Sequence, residues 1–260
     1  MERPMTHHIL THQQDGILRI QFNRPEKKNA ITLAMYEAMT AALGQAEADP
    51  QVRVVLFTGS DDCYTAGNDL KDFLESPPTG RDSPVFRFLK ALIAAEKPVM
   101  AAVQGIAVGI GTTMLLHCDL VYAGATARFQ FPFVNLALTP EAGSSLLLPQ
   151  LVGHRRAAEL LMLGEMFDAE TARTLGLVNA VYPPEALADA AWQVARRLAA
   201  KPPASVRLTK RLLKRAVLPA LEEAMAEEGK HFLTRLRSEE AREAMQAILE
   251  RRAPDFSRFS

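Results

Sequence analysis

Several things are scarce in this sequence, and each scarcity excludes something. Of its 260 residues only Cys63 and Cys118 are cysteines. That is too few for a disulfide framework or a cysteine-rich metal site, and it fits a reducing compartment. Neither sign of charge dominates: Lys and Arg number 30, and Asp and Glu number 30. Bulk charge therefore points to no nucleic acid and no anionic membrane surface. No stretch approaches the roughly 18 uninterrupted apolar residues that a membrane-spanning helix needs. The opening MERPMTHHILTHQQDG has no apolar core of a secretion signal, and the closing FSRFS is not an SKL-type address. The expectation is a cytoplasmic protein.

Phosphate, nucleophile and metal signatures are missing too. In GIAVGIGTTM the glycines Gly109 and Gly111 are followed by Met114 where a dinucleotide-binding G-x-G-x-x-G needs its third glycine. No G-x-x-x-x-G-K-[ST] occurs. Gly143-Ser144-Ser145-Leu146-Leu147 lacks the second glycine of a serine-hydrolase elbow. His7, His8 and His12 lie in a polar stretch and read as a solvated tail. His117, beside Cys118 and Asp119, is no triad, because chain neighbours do not converge. No metal is expected. The basic run RLTKRLLKRA reads as a solvated helix face.

What is present is an apolar content of 48%, enough for a sizeable core. GILRIQFNRP alternates and then stops at Asn-Arg-Pro, a strand and a turn. Thr32 caps an expected helix over LAMYEAMTAALGQAEA, which ends at Asp49-Pro50. VRVVLFTG and VMAAVQG read as strands, CYTAGNDLKDF as a loop, and Ser83-Pro84 as the start of a helix through Ala95. GIGTTMLLHC reads as a glycine turn into a helix, and DLVYAG and ARFQF as short strands. Beyond Ser144 the spacing is mostly helical, with one strand at VNAVY. Strands early and helices late predict an α/β body, residues 1–200, with a helical C-terminal region, residues 201–260.

Two turns stand out. A glycine-flanked strand-to-helix turn at 109–111 leaves the first helical N–H groups unpaired, at the positive end of the helix. It suits an anion or a developing oxyanion, and it equally suits close packing with no ligand. In YTAGNDLKDF, Gly67 permits close backbone approach, while Asn68 and Asp69 fit ordinary turn chemistry.

The segments AGNDL (66–70), KPVMAAVQGIAVGIG (97–111) and CDLVYA (118–123) resemble the crotonase superfamily, the enoyl-CoA hydratase/isomerase family. NRPEKKNA (23–30), RTLGLVNAV (173–181) and the terminal SEEAREAMQ…PDF are similar to it as well. The resemblance runs from about residue 10 to the C-terminus. It implies a crotonase-like spiral of ββα units, a helical C-terminal trimerisation region, a homotrimer or hexamer, and an acyl-CoA thioester substrate. No separate cofactor is then expected, since CoA is part of the substrate. It implies that the backbone N–H groups of Asn68 and Ile110 hold the thioester oxyanion, a donor being worth roughly 3–4 kcal/mol in such sites. It places Ala66, Gly67, Asn68, Asp69, Leu70, Lys71, Gly109 and Phe133 at the substrate, with Lys71, Arg24, Lys27 and Lys28 as candidates for the CoA phosphates.

The family's hydratases carry two glutamates, at positions that here read Thr113 and Phe133. Neither residue can activate water or protonate carbon well. LALTPEAGSSLLLPQL instead resembles the peroxisomal-type Δ3,Δ2-enoyl-CoA isomerases, in which the glutamate of a similar P-E-G/A-x-S-S segment is the base. That residue is Glu141. Shifting a double bond from C3 to C2 needs one carboxylate, and an apolar setting makes that carboxylate more basic. Thr113 and Phe133 are then expected as pocket wall. An enoyl-CoA hydratase and a non-catalytic acyl-CoA-binding protein are the alternatives.

Overall fold

The computed structural model describes residues 8–60, 62–78, 80 and 82–259; His7 and the residues before it lie outside these. Strands β1 (Ile9–Gln14) and β2 (Ile17–Phe22) form an antiparallel hairpin, paired from Ile9↔Phe22 to Gln14↔Ile17. The stretch expected to be a polar tail is thus an edge strand that carries His12. Its turn is Asp15-Gly16, both at positive φ (54° and 77°), the backbone that a two-residue hairpin needs. An edge strand facing water has no reason to be apolar, which is why composition concealed it.

Helix α1 (Leu33–Ala48) follows, capped as expected: the Thr32 hydroxyl accepts from the Met35 N–H. Strand β3 (Val54–Thr58) comes next. The segment expected to be a loop contains a short helix, α2 (Leu70–Glu75), capped by the Asp69 carboxylate, which accepts from Lys71 and Asp72 N–H groups at 3.1 Å each. A helix of six residues is too short to show a period. Helix α3 (Pro84–Ala94) starts on its proline, although the Ser83 side chain makes no cap bond. Strand β4 (Val99–Val103) ends before Gly105, and β5 (Ile106–Val108) belongs to a different sheet.

The helix α4 (Ile110–Thr113) tightens into a 3-10 turn over Met114–His117. Strands β6 (Leu120–Gly124), β7 (Arg128–Gln130), β8 (Phe167–Asp168) and β9 (Ala180–Tyr182) complete the sheets. Helices α5 (Ser144–Val152), α6 (His154–Leu163) and α7 (Ala169–Thr174) alternate with the last of these. Four helices end the chain: α8 (Pro184–Ala199), α9 (Pro203–Lys214), α10 (Leu218–Leu236) and α11 (Glu239–Leu249).

The larger sheet runs β1-β2-β3-β4-β6-β9, parallel from β2 onward. β3 and β4 are continuously apolar because both sheet faces are covered. Val55 and Phe57 face α1 and α3, while Val54 and Leu56 face α8 through Leu187, Ala191 and Ala195. The smaller sheet, β5-β7-β8, stands beside a separate apolar cluster that joins Phe73, Phe131, Phe133, Leu138, Leu148, Phe232 and Met245. Helices from the middle and the end of the chain meet in that cluster.

One polar residue ties the first turn to the strand that feeds the site. Asn29 is fully buried at φ 54°, a conformation asparagine tolerates. Its side-chain oxygen accepts from Arg24 N–H at 2.7 Å and from the Ser60 hydroxyl at 3.1 Å. Its amide donates to the carbonyls of Cys63 at 2.8 Å and Tyr64 at 3.1 Å. Asn29→Ala removes all four partners at once and should lower stability by about 2–4 kcal/mol, read as an earlier midpoint in urea unfolding.

Candidate active site

A cavity of about 360 Å³ opens where the two glycine turns, the 130–141 segment and the C-terminal helices meet. Of the residues singled out in the sequence, Ala66, Gly67, Asn68, Leu70, Gly109, Ile110, Phe133 and Glu141 line it. The rest of the wall is mostly apolar: Phe73, Leu136, Leu138, Phe232, Met245 and Ile248. Phe73 and Phe232 meet edge to face, with centroids 6.1 Å apart. How α10 and α11 fold over the segment near residue 70 was not readable from the sequence.

The two turns are stitched together by short parallel bridges, Ile31 to Asn68 and Thr65 to Ala107. Ile31 N–H donates to Gly67 O at 2.7 Å, and Asp69 N–H donates back to Ile31 O at 2.9 Å. Gly67 lies at φ 88°, and a Cβ there would sit 2.6 Å from the Val108 carbonyl oxygen. Gly109, at φ 58° and ψ −121°, is the N-cap of α4 and accepts from Thr112 and Thr113 N–H groups at 2.9 Å. Both positions need the backbone freedom of glycine. Among the described residues, no acceptor pairs with the backbone N–H of Asn68 or of Ile110. Unpaired N–H groups are rare in interiors, and here both belong to residues of one cavity wall. Two such donors can accept a developing oxyanion. The Asn68 side chain is held by the Tyr36 hydroxyl, which donates to its oxygen at 2.5 Å.

Glu141 is the one charged side chain of the cavity wall among the described residues. It is partly exposed, and the surface it shows is to the cavity. The turn behind it uses two left-handed residues, Ala142 at φ 56° and Gly143 at φ 72°, before α5 begins. His117 holds this turn through Nε2, 2.7 Å from Ala142 O. Burial lowers the imidazole to about 4, so it is neutral and donates. Burial pushes the Glu141 carboxyl up to about 8; the Thr113 hydroxyl, which donates to its Oε1, opposes that rise, and the charge of Glu228 adds to it. Glu141 is thus a proton acceptor matched to neutral pH.

Thr113 corrects an expectation. It is fully buried and absent from the cavity wall; it stands behind Glu141 as its hydrogen-bond donor. Phe133 is wall, as expected. Arg24, Asp69, Lys28 and Lys71 do not reach the cavity. The Arg24 guanidinium lies 2.6 Å from Asp69 and also donates to Ala30 O at 3.0 Å, while Asp69 caps α2. Lys27, Lys28 and Lys71 are exposed. No group of three or more His, Cys, Asp or Glu side chains able to hold a metal ion occurs among the described residues. No helix there is long and apolar enough to cross a membrane.

Residues 12–258 match the profile of the enoyl-CoA hydratase/isomerase family. Enoyl-CoA delta isomerase 2 of Rattus norvegicus is 37% identical over 250 residues, covering 94% of this chain, which spans 64% of the rat protein's length. The 1,2-epoxyphenylacetyl-CoA isomerase of Escherichia coli is 35% identical over 261 residues, with 97% of this chain and 99% of that protein covered. A 2,3-dehydroadipyl-CoA hydratase of the same organism is 31% identical over 249 residues, covering 95% of this chain and 98% of that protein. Among solved structures, Pseudomonas aeruginosa OdaA superposes with a TM-score of 0.92 at 52% identity, covering 94% of this chain and 99% of that one. An enoyl-CoA hydratase/isomerase from Pseudoalteromonas atlantica gives 0.92 at 40% identity, covering 96% and 100%. The fold is the expected crotonase-like α/β spiral.

The raised carboxyl has a consequence for stability. Glu141 binds its proton more tightly folded than unfolded, so its contribution is full below an unfolded value near 4.5 and is lost as pH rises toward about 8. Glu141→Gln cannot ionise. It should therefore be more stable than wild type at pH 8, by about 4 kcal/mol. The difference should shrink with falling pH and vanish below about pH 4 in chemical denaturation.

Proposed function

This chain belongs to the enoyl-CoA hydratase/isomerase family, and within it we propose that it is a Δ3,Δ2-enoyl-CoA isomerase with Glu141 as its single acid–base group. The observation that carries this reading is the lone carboxylate in an apolar cavity whose wall also contains two unpaired backbone N–H groups. Glu141 takes a proton from C2 of a 3-enoyl thioester. Negative charge moves to the carbonyl oxygen and is held by the N–H groups of Asn68 and Ile110. The dienolate then takes the proton back at C4, which leaves the double bond at C2. Proton loss and return balance, so no other reactant is needed.

Hydratases are among the relatives, but the cavity favours the isomerase. Hydration needs one group to activate water and another to protonate carbon. Of the two positions where hydratases carry those acids, one holds Phe133, and the other holds Thr113, which is committed to Glu141. A wall of Leu138, Phe133 and Phe232 also keeps water scarce. The same reading retains the exposed Lys28 and Lys71 as candidates for the CoA phosphates. It retains a homotrimer or hexamer as the assembly, for which α9 offers the exposed Leu208, Leu212 and Leu213, the last 78% exposed.

Purified protein given a 3-enoyl-CoA should produce the ultraviolet absorbance of a conjugated 2-enoyl thioester. Glu141→Gln should lower kcat by roughly 10²–10⁴-fold, the usual worth of a general base. The base must be ionised to act, so kcat/KM should climb as pH rises toward about 8. Bleaching of added 2-enoyl-CoA at a comparable rate would mean hydration and would sink the isomerase reading. So would an undiminished Glu141→Gln variant.

A further inference from the structure

One buried carboxylate plays no part in the chemistry above. Glu228 lies on α10 and is 7% exposed. Its Oε2 accepts from Gly143 N–H at 2.6 Å and its Oε1 from Ser145 N–H at 2.8 Å. These donors form the first turn of α5, a helix of nine residues with a positive end directed there. The other N–H groups of that turn are committed as well. Ser144 N–H donates to the Glu141 main-chain oxygen at 3.0 Å, and those of Leu146 and Leu147 to Gly143 O at 3.1 and 2.9 Å. The Glu141 carboxylate, immediately upstream, receives none of them; its hydrogen bond comes from Thr113.

We propose that Glu228 is a positioning residue for the base: it occupies the N-terminus of α5, clamps the 141–143 turn from the C-terminal helices, and denies Glu141 the positive end of that helix. The proposal rests on Glu141 being the base. Without Glu228, the freed N–H groups of Gly143 and Ser145 would lie two and four residues along the chain from the Glu141 carboxylate. Paired with them it would be a stable anion and a poor proton acceptor. With Glu228 in place, a like charge faces Glu141 and favours its proton.

No other element cancels that influence. From α1 the buried Tyr36 phenol faces Glu141 and is held neutral, well above its ordinary value, by burial. From α4 comes the uncharged Thr113, and from the 3-10 turn after it the neutral His117. The Lys214 ammonium of α9 donates to the His117 main-chain oxygen at 3.5 Å, and the charges it feels are those of Lys210, Asp119 and Cys118 rather than Glu141. Burial raises the Glu228 carboxyl, but its two N–H bonds favour the charged form and oppose the rise. Glu228 should therefore ionise before Glu141.

Two measurements test this. The first is a carbon-13 NMR titration of side-chain carboxyls in the wild-type protein, assigned by comparison with Glu141→Gln. Glu228 should ionise at lower pH than Glu141; a Glu228 still protonated when Glu141 loses its proton overturns the proposal. The second uses Glu228→Gln. Ionisation of Glu141 and the acid limb of kcat/KM should both move to lower pH, by roughly half a unit or more for a lost like charge, with KM little changed. A uniform fall in turnover with both profiles in place would mark a purely structural residue and overturn it too. The titration needs no substrate, so an absence of isomerase turnover would count against the proposed reaction while the NMR still decides the role of Glu228.

Discussion

Keeping one carboxylate dry without trapping it as a salt is the constraint on which the site depends. Among the described residues the Glu141 carboxylate has no cation beside it and a single hydroxyl as its hydrogen-bond partner. An isolated carboxylate in apolar surroundings neutralises itself by holding its proton, and that makes it a base near neutral pH. The surrounding chain is arranged so that nothing quenches it. His117 is neutral, the α5 N–H groups are occupied, and the available cations pair elsewhere: Arg24 with Asp69 and Lys210 with Asp119.

The two unpaired N–H groups of the proposed oxyanion site depend on a second economy of hydrogen bonds. The loops around residues 65–69 and 106–110 satisfy most of their backbone groups through each other and through the segment at 28–31. Asn29 and Thr65 supply the side-chain bonds that make this possible: Thr65 Oγ1 donates to Asn29 O at 2.7 Å and accepts from Gly67 N–H at 3.1 Å. Two N–H groups are left over, and they lie on one wall. The leftover donors are thus a product of the surrounding accounting, which is why their side chains, Asn68 and Ile110, have freedom to vary.

The local parts of this arrangement were legible in the sequence. The glycine turns, the Thr32 cap and the isolated acid in TPEAGSS are all signals within a few residues. The Asp15-Gly16 hairpin was missed, because the polar strand before the turn read as a tail. What the sequence concealed is long-range. Glu228 lies in a charged run, AEEGK, with nothing to separate it from a solvated helix face. Its importance comes from packing α10 against α5; Phe232 on α10 and Met245 on α11 reach the cavity wall through equally long-range packing. The family resemblance put Arg24 and Asp69 at the substrate, and nothing local in the sequence showed that the two pair with each other at 2.6 Å.

Thr113 shows why the one-acid and two-acid sites exclude each other. Its hydroxyl sits within hydrogen-bonding reach of Glu141. A glutamate there, as in the hydratases the sequence resembles, would set two carboxylates against each other in a buried space that already contains the charge of Glu228. One of them would be forced to keep its proton far above neutral pH. With Glu141 in its present place, position 113 must therefore be neutral. A small hydroxyl is better than an apolar side chain, because it donates a hydrogen bond when Glu141 is charged and leaves a polar partner when it is not. On the proposed reading, the threonine at 113 is thus the neutral partner that the placement of Glu141 requires.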